Sequence, residues 1–394
     1  MGPNPAIPRL AELFDPRRNN LDFLRLVLAL GVVVSHAWPL GKFADFDPYA
    51  RANHQITIGT TAVHSFFFLS GFLITRSARS SSSLGRFLWH RCLRIFPAYW
   101  VCLIVTAFCF TPLLHWLTKA PGDPLFRHTT TSAFGYAWRN LSLIPYQPVI
   151  GGWWEPNGSL WTLWPEFQCY LFVGTLALLG VLRHRAIVGG LLGFLVLFHA
   201  VHIFVPTALY NTGMPLMGDL VNYSLVLYFM MGSACELYAD RVVVSGRLAL
   251  AAAALVAFTL HQGSYYLFAP VVLPYVLIWL VLKLPCKGWG RLGDYSYGVY
   301  IYGYPIEVLL ERTGCGKLGL PCYLALAITL TLACAFLSYH LIEKHALRMK
   351  SLSFRVSRSQ EAGRFGNWRV HLASAPKRSH VGTARTSVGS AASS

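Results

Sequence analysis

Arg25 and His36 bracket ten uncharged, mostly apolar residues in the stretch "RLVLALGVVVSHAW". On a helix the eleven steps between them turn about 1100°, about 20° beyond three full turns, and rise about 16.5 Å. Both side chains therefore project from one face. Both are costly against lipid, so that face must look into a helix bundle or a water-filled cavity. The arginine offers a fixed cation suited to carboxylate or phosphate, and the histidine can act as a general base near neutral pH. Asp22, about one turn before Arg25, is placed to pair with it. The bland alternative is a histidine satisfied by interhelical hydrogen bonds and an arginine snorkelling to the headgroups.

Three further groups carry chemistry. Glu166 in "NGSLWTLWPEFQCYL" is the next acidic residue inside an apolar stretch, and a carboxylate there would orient His36 or raise its basicity. Its alternative role is to cap a helix start just after Pro165. Ser70 in "FFFLSGFLIT" sits beside Gly71, a pair that lets backbones approach closely, and a positioning hydrogen bond fits it better than covalent catalysis. Arg86, Arg91 and Arg94, with His90, form a basic patch in which Arg91 and Arg94 share a helix face suited to a phosphate ligand. Positive-inside topology alone also explains that patch.

The elements that must position these groups are membrane helices. The chain has 394 residues, 55% hydrophobic and 12% charged, with a net charge of +17. Its mean hydropathy is +0.47. That balance excludes an ordinary soluble domain. Stretches of about 20 apolar residues, the length that crosses a bilayer, fall near 20–39, 57–76, 93–115, 160–182, 186–206, 220–239, 246–262, 266–284, 294–311 and 320–343. The expectation is an all-α polytopic membrane protein of about ten transmembrane helices. The first stretch has no small-residue cleavage site after it and reads as an anchor.

Loop charges orient the bundle. Arg76 to Arg94, Arg183, Arg185, Arg241, Arg247, Lys283, Lys287, Arg291 and the basic tail fall on one side. The other side holds only Lys42, Arg51, Lys119, Arg127, Arg139, Arg312 and Lys317. The rule that cytoplasmic loops are positive then puts both termini in the cytoplasm, Arg25 near that side and His36 deeper in. Residues 1–19 are a cytoplasmic segment, 20–350 the membrane domain, and 351–394 a disordered, basic, Ser-rich cytoplasmic tail. The charge is spread over short loops and a tail rather than one folded face, so anionic lipid explains it and nucleic acid is not a partner. The nine cysteines show no metal spacing, and no metal is expected. Cys315 and Cys322 are the one pair placed to form a disulfide on an oxidising side, against plain apolar packing. An aromatic loop at 136–164, with Trp161 near its end, reads equally as an acceptor-recognition loop or an interfacial belt. The sequons at Asn140, Asn157 and Asn222 are short matches without assigned function.

In order along residues 19 to 350, the segments "LDFLRLVLALGVVVSHAW", "FFFLSGFLIT", "RFLWHRCLRIFPAYW", "NGSLWTLWPEFQCYL", "LGDYSYGVYIYGYP" and "SYHLIEKHALRMK" resemble the bacterial membrane-bound acyltransferase-3 family, whose members modify surface polysaccharides and other surface molecules. The resemblance implies that His36 is the catalytic histidine, Arg25 its partner arginine, Glu166 the family glutamate, and Arg91 and Arg94 part of the donor motif. The chain departs from common family forms at His90, His64, Gly303 and His345, and it lacks a fused hydrolase-like domain.

The resulting expectation is an O-acyltransferase of the bacterial inner membrane. Acyl-CoA, most simply acetyl-CoA, is its co-substrate and no cofactor is permanently bound. The nucleotide phosphates would lie near Arg86, Arg91 and Arg94, with the pantetheine arm along the Arg25–His36 face. His36 would deprotonate a sugar hydroxyl of an extracytoplasmic polysaccharide or glycolipid, oriented by Glu166, with Ser70 and Trp161 contacting substrate. Membrane lipid and polysaccharide-assembly proteins are the further partners. The rival reading is a transporter or flippase for a lipid-linked sugar or acidic solute, with the same residues as a relay.

Overall fold

Ten apolar stretches of the sequence fold into ten long helices: α1 Leu21–Leu40, α2 Ile58–Ser80, α3 Leu84–Val105, α4 Leu163–Leu178, α5 Arg185–Phe204, α6 Leu220–Leu237, α7 Gly246–His261, α8 Tyr265–Lys283, α9 Ser296–Arg312 and α10 Leu320–Ser338. The computed structural model describes residues 7–81, 83–118, 126, 132–144, 156–205, 220–291 and 293–351, with the backbone of 353–355 and 371–373. The fold is all-α, as the hydrophobic pattern requires. Among the described residues, six helical stretches are long and apolar enough to cross a membrane: Leu21–Leu40, Ile58–Ser80, Leu84–Thr118, Arg185–Phe204, Tyr265–Lys283 and Leu320–Ser351. The others include α4, α7 and α9, which are shorter, at 16, 16 and 17 residues. In the 351–394 segment the described backbone is one antiparallel pair, β1 Ser353–Arg355 and β2 His371–Ala373, with Phe354 opposite Leu372.

Small residues set the closest packing. A Cβ on Gly71 of α2 would collide with the Phe229 carbonyl of α6, and one on Gly232 of α6 would collide with the Phe68 carbonyl of α2. The two helices therefore touch backbone to backbone at two reciprocal points, the usual way membrane helices gain packing energy where lipid offers no hydrophobic drive. The Ser70–Gly71 reading of close approach holds.

Local sequence fixes the ends that carry function. Asn20, fully buried, donates from Nδ2 to the Val281 carbonyl at 2.8 Å and accepts from the Cys286 N–H at 2.9 Å, pinning the start of α1 to the end of α8. Thr57 and Ser83 accept from the backbone N–H groups of Thr60 and Arg86, capping α2 and α3. At the far end of α1, Asp47 is buried and accepts from Ser35 Oγ at 2.6 Å, from the Ala50 N–H at 2.8 Å and from the Ile58 N–H at 2.9 Å. The π-turns Thr106–Phe110 and Tyr339–Glu343 interrupt the helices that begin as α3 and α10. All nine cysteines are free, so Cys315 and Cys322 are not bonded.

Candidate active site

The first site residue is held by a partner that sequence spacing did not choose. Arg25 donates from Nη1 to Asp294 Oδ2 at 2.8 Å, and Arg94 on α3 meets the same carboxylate oxygen. Asp22, expected to pair with Arg25, instead lies against Gly290, where a Cβ would strike its carboxylate. The reason is tertiary: the connection ahead of α9 brings Asp294 between two arginines from different helices. Ser296 completes the arrangement, donating to Asp294 Oδ1 from Oγ at 2.5 Å and from its N–H at 3.1 Å. Arg25, Arg94 and Ser296 thus surround the Asp294 carboxylate with donors on both of its oxygens. Arg94 also faces Glu343 at 3.6 Å, at the end of the second π-turn.

These arginines border a cavity of about 320 Å³, whose walls include Arg25, Ser70, Arg91, Arg94, Glu166, Tyr170, Asp294 and Lys350. Arg91 is part of that wall, and its Nε is buried without a hydrogen-bond partner. Among the described residues it pairs with no carboxylate, unlike Arg25 and Arg94, and can meet an anion. Arg86, at the start of α3, is exposed and is not on the wall. Thus the basic patch divides into Arg91, aimed at the cavity, Arg94, engaged by two carboxylates, and Arg86, facing outward.

Glu166 lies deeper along the same space. Its Oε1 accepts from Ser70 Oγ at 2.8 Å and from the Tyr170 hydroxyl at 2.5 Å. It makes no hydrogen bond to His36, so the expected orienting contact gives way to a Ser70–Glu166–Tyr170 cluster joining α2 and α4. Arg25, Phe66 and Glu166 are shared with a second, smaller cavity that Thr162, Ser296, Tyr297 and Tyr300 also line. Trp161, beside Thr162, is 38% exposed and is absent from both walls. Residues 145–155 of the aromatic loop lie outside the described residues.

A tyrosine stripe leads from the arginines to His36. Tyr297, Tyr300 and Tyr304 are spaced three and four apart on α9, hence on one face. Tyr297 donates to the Ile95 carbonyl at 2.8 Å and lies under the Arg94 guanidinium. The Tyr300 hydroxyl is 2.5 Å from Thr162 Oγ1, and the Tyr304 ring meets His36 edge to face with centroids 5.2 Å apart. His36 Nδ1 is buried without a hydrogen-bond partner among the described residues, and His36 lines neither cavity. The aligned face read from the Arg25–His36 spacing is therefore matched by a parallel face on α9.

Asn157 anchors the loop over this stripe. Pro305 has no N–H to give the Ile301 carbonyl four residues earlier, and Asn157 Nδ2 donates to that carbonyl at 2.8 Å instead. Cys102 Sγ approaches the same oxygen at 3.3 Å. Asn157 is fully buried, which explains as architecture what the sequon pattern left unassigned. Sequence alone gave Asp294, Tyr170, Tyr300, Lys350 and Asn157 no site role, although all five lie within the motifs quoted above and Asn157 also heads a sequon.

Residues 18–340 match a family model described as an acyltransferase domain. The chain is 29% identical over 349 residues to an O-acetyl transferase of Shigella phage Sf6, covering 85% of this chain and 98% of that protein. It is 30% identical over 369 residues to nodulation protein 10 of Rhizobium leguminosarum bv. viciae, covering 85% and 94%. It is 25% identical over 324 residues to an exopolysaccharide production protein of Rhizobium meliloti (strain 1021), covering 77% and 94%. No solved structure is a significant match. A family match across most of the chain, over a bundle of apolar helices, makes this an integral membrane enzyme: the chain belongs to the acyltransferase-3 family and is an acyltransferase.

Proposed function

We propose that this enzyme moves an acetyl group from acetyl-CoA onto a sugar hydroxyl of an extracytoplasmic polysaccharide or glycolipid, in the bacterial inner membrane, through ten spans with both termini cytoplasmic. The observation that carries the reading is the cavity that begins at Arg91, Arg94 and Lys350 and passes Arg25 to the Ser70–Glu166–Tyr170 cluster, with the tyrosine stripe continuing to His36. A donor with anionic phosphates and a long, slender arm suits this arrangement: cations at one end, the adjoining smaller cavity past Glu166 toward Tyr300, and His36 beyond the walls of both. The printed names of the relatives, an O-acetyl transferase and an exopolysaccharide production protein, support acetyl as the group and polysaccharide as the acceptor class.

In this mechanism Arg91 meets a donor phosphate and Lys350 adds charge at the mouth. His36 takes the proton of the acceptor hydroxyl as its oxygen attacks the thioester carbonyl, and the proton leaves with the thiol. Arg25, fixed by Asp294, holds the donor arm in line. Purified protein in nanodiscs, given labelled acetyl-CoA and candidate glycans, tests the reading. Label is expected in the glycan for the wild type and lost in His36→Ala that inserts normally. Transfer near the wild-type level by His36→Ala would overturn it, and movement of substrate without transfer would favour the transporter.

A further inference from the structure

Among the described residues, two buried polar groups at the His36 end of the bundle lack hydrogen-bond partners, and helix register brings them near one level. Glu307 on α9 is completely buried, and neither carboxylate oxygen meets a donor. His36 Nδ1 on α1 is buried and equally unpartnered. An ionised carboxylate left so in an apolar bundle is among the costliest side chains to keep.

The register of α1 against α9 is set by a close approach: a Cβ on Gly303 would stand 2.7 Å from Val33 Cγ2. The helices run parallel, since Arg25 meets Asp294 at one end and His36 meets Tyr304 further along. One turn beyond Val33 and Gly303, Ala37 and Glu307 come level, and Ala37 is the chain neighbour of His36. Tyr304, whose ring touches His36, is one turn before Glu307 on the same face. Glu166 is occupied by Ser70 and Tyr170.

We propose that Glu307 is the positioning residue for His36, turning from the rotamer of this structure, in which the two side chains are not hydrogen-bonded, to hold the imidazole through Nδ1, a role that rests on the reading of His36 as the base. A carboxylate accepting from Nδ1–H fixes the tautomer in which Nε2 is unprotonated. Nε2 then takes the acceptor hydroxyl proton as oxygen bonds to the thioester carbon. The C–S bond breaks, and Nε2 returns the proton to the leaving sulfur. Glu307 faces the imidazolium between the two steps, and its own proton count does not change.

Several other titratable groups on neighbouring elements are committed elsewhere. Asp47 is held by Ser35 and two backbone N–H groups. Glu311 pairs with Lys42 at 2.5 Å and with Arg312 at 2.9 Å. The Tyr323 hydroxyl of α10 donates to the Glu307 main-chain oxygen rather than its side chain. Tyr300 meets Thr162, and Arg25 meets Asp294.

The test uses the full chain in nanodiscs, with acetyl-CoA as donor and p-nitrophenyl hexosides as acceptors. Glu307→Gln is expected to lower kcat by up to about 10⁴-fold, as when a base loses its orienting carboxylate. KM for acetyl-CoA should stay within about two-fold, because the cavity wall is untouched. The acidic limb of the kcat–pH profile should move to lower pH, and Glu307→Asp should recover part of the rate. A second measurement needs no variant to fold: ¹⁵N spectra of histidine-labelled wild type, with the His36 signal identified by its loss in His36→Ala, should show the Nδ1–H tautomer. An unshifted limb with wild-type kcat in Glu307→Gln, or an Nε2–H tautomer in the wild type, would overturn the proposal while leaving His36 as the base. Full transfer by His36→Ala would instead overturn the underlying reading.

Discussion

Asp294 serves two guanidinium groups at once, and its removal separates structural from donor-binding arginines. Asp294→Asn leaves Arg25 and Arg94 side by side and mostly buried, with Glu343 as the remaining ion pair of Arg94 among the described residues. Breaking a buried pair in this way costs about 3–5 kcal/mol, so the thermal midpoint of the purified variant is expected to fall sharply at neutral pH. A midpoint of Asp294→Asn equal to that of the wild type would show that the pair does not work as described. Arg91→Ala is the contrasting case. Loss of one charge-assisted contact, about 1.5–3 kcal/mol, should raise the acetyl-CoA Kd roughly 10- to 100-fold with little change in midpoint; unchanged affinity would return Arg91 to topology alone.

At the scale of elements, the bundle depends on contacts where a side chain is missing. Gly71→Ala or Gly232→Ala inserts a methyl into a facing carbonyl, and α2 and α6 must separate for either to be accommodated. Overpacking of this kind costs about 1–3 kcal/mol or more. Both variants are expected to give less monodisperse protein and a lower midpoint, with Gly85→Ala, which meets open space, as the neutral control. Asn157→Ala should behave differently. It strips the donor from the Ile301 carbonyl freed by Pro305, at about 1–3 kcal/mol for an unsatisfied buried acceptor. It also loosens the loop over Tyr300 and Tyr304, so transfer should fall further than stability. Equal loss of both would assign Asn157 to the fold alone.

For the whole molecule, the expected topology is directly measurable. Single cysteines placed at Arg18 and Arg247, in a background without reactive native thiols, should be labelled by an impermeant maleimide only from the cytoplasmic side, and cysteines at Arg51 and Arg312 only from the other. Labelling of Arg18 and Arg312 from one side would remove the ten-span arrangement and the direction assigned to the cavity.

The sequence by itself determined the all-α class, the helix positions, the family and the alignment of Arg25 with His36. Each of these is set by hydrophobic runs, by motif order, or by the 3.6-residue period, which act along the chain. Ser70–Gly71 was also legible, because a small-residue pair has one common use in membrane helices. The partners of those residues were not legible. Asp22 was the near choice for Arg25 and Asp294 the real one; Glu166 was the obvious carboxylate for His36, yet it is held by Ser70 and Tyr170. Sequence spacing reports which residues share a face of one helix, whereas a salt bridge or hydrogen bond across the bundle depends on rotation and register between helices. Here reciprocal glycines, the Gly303–Val33 approach and the Asn20 pin set that register, and only the tertiary structure brings them together.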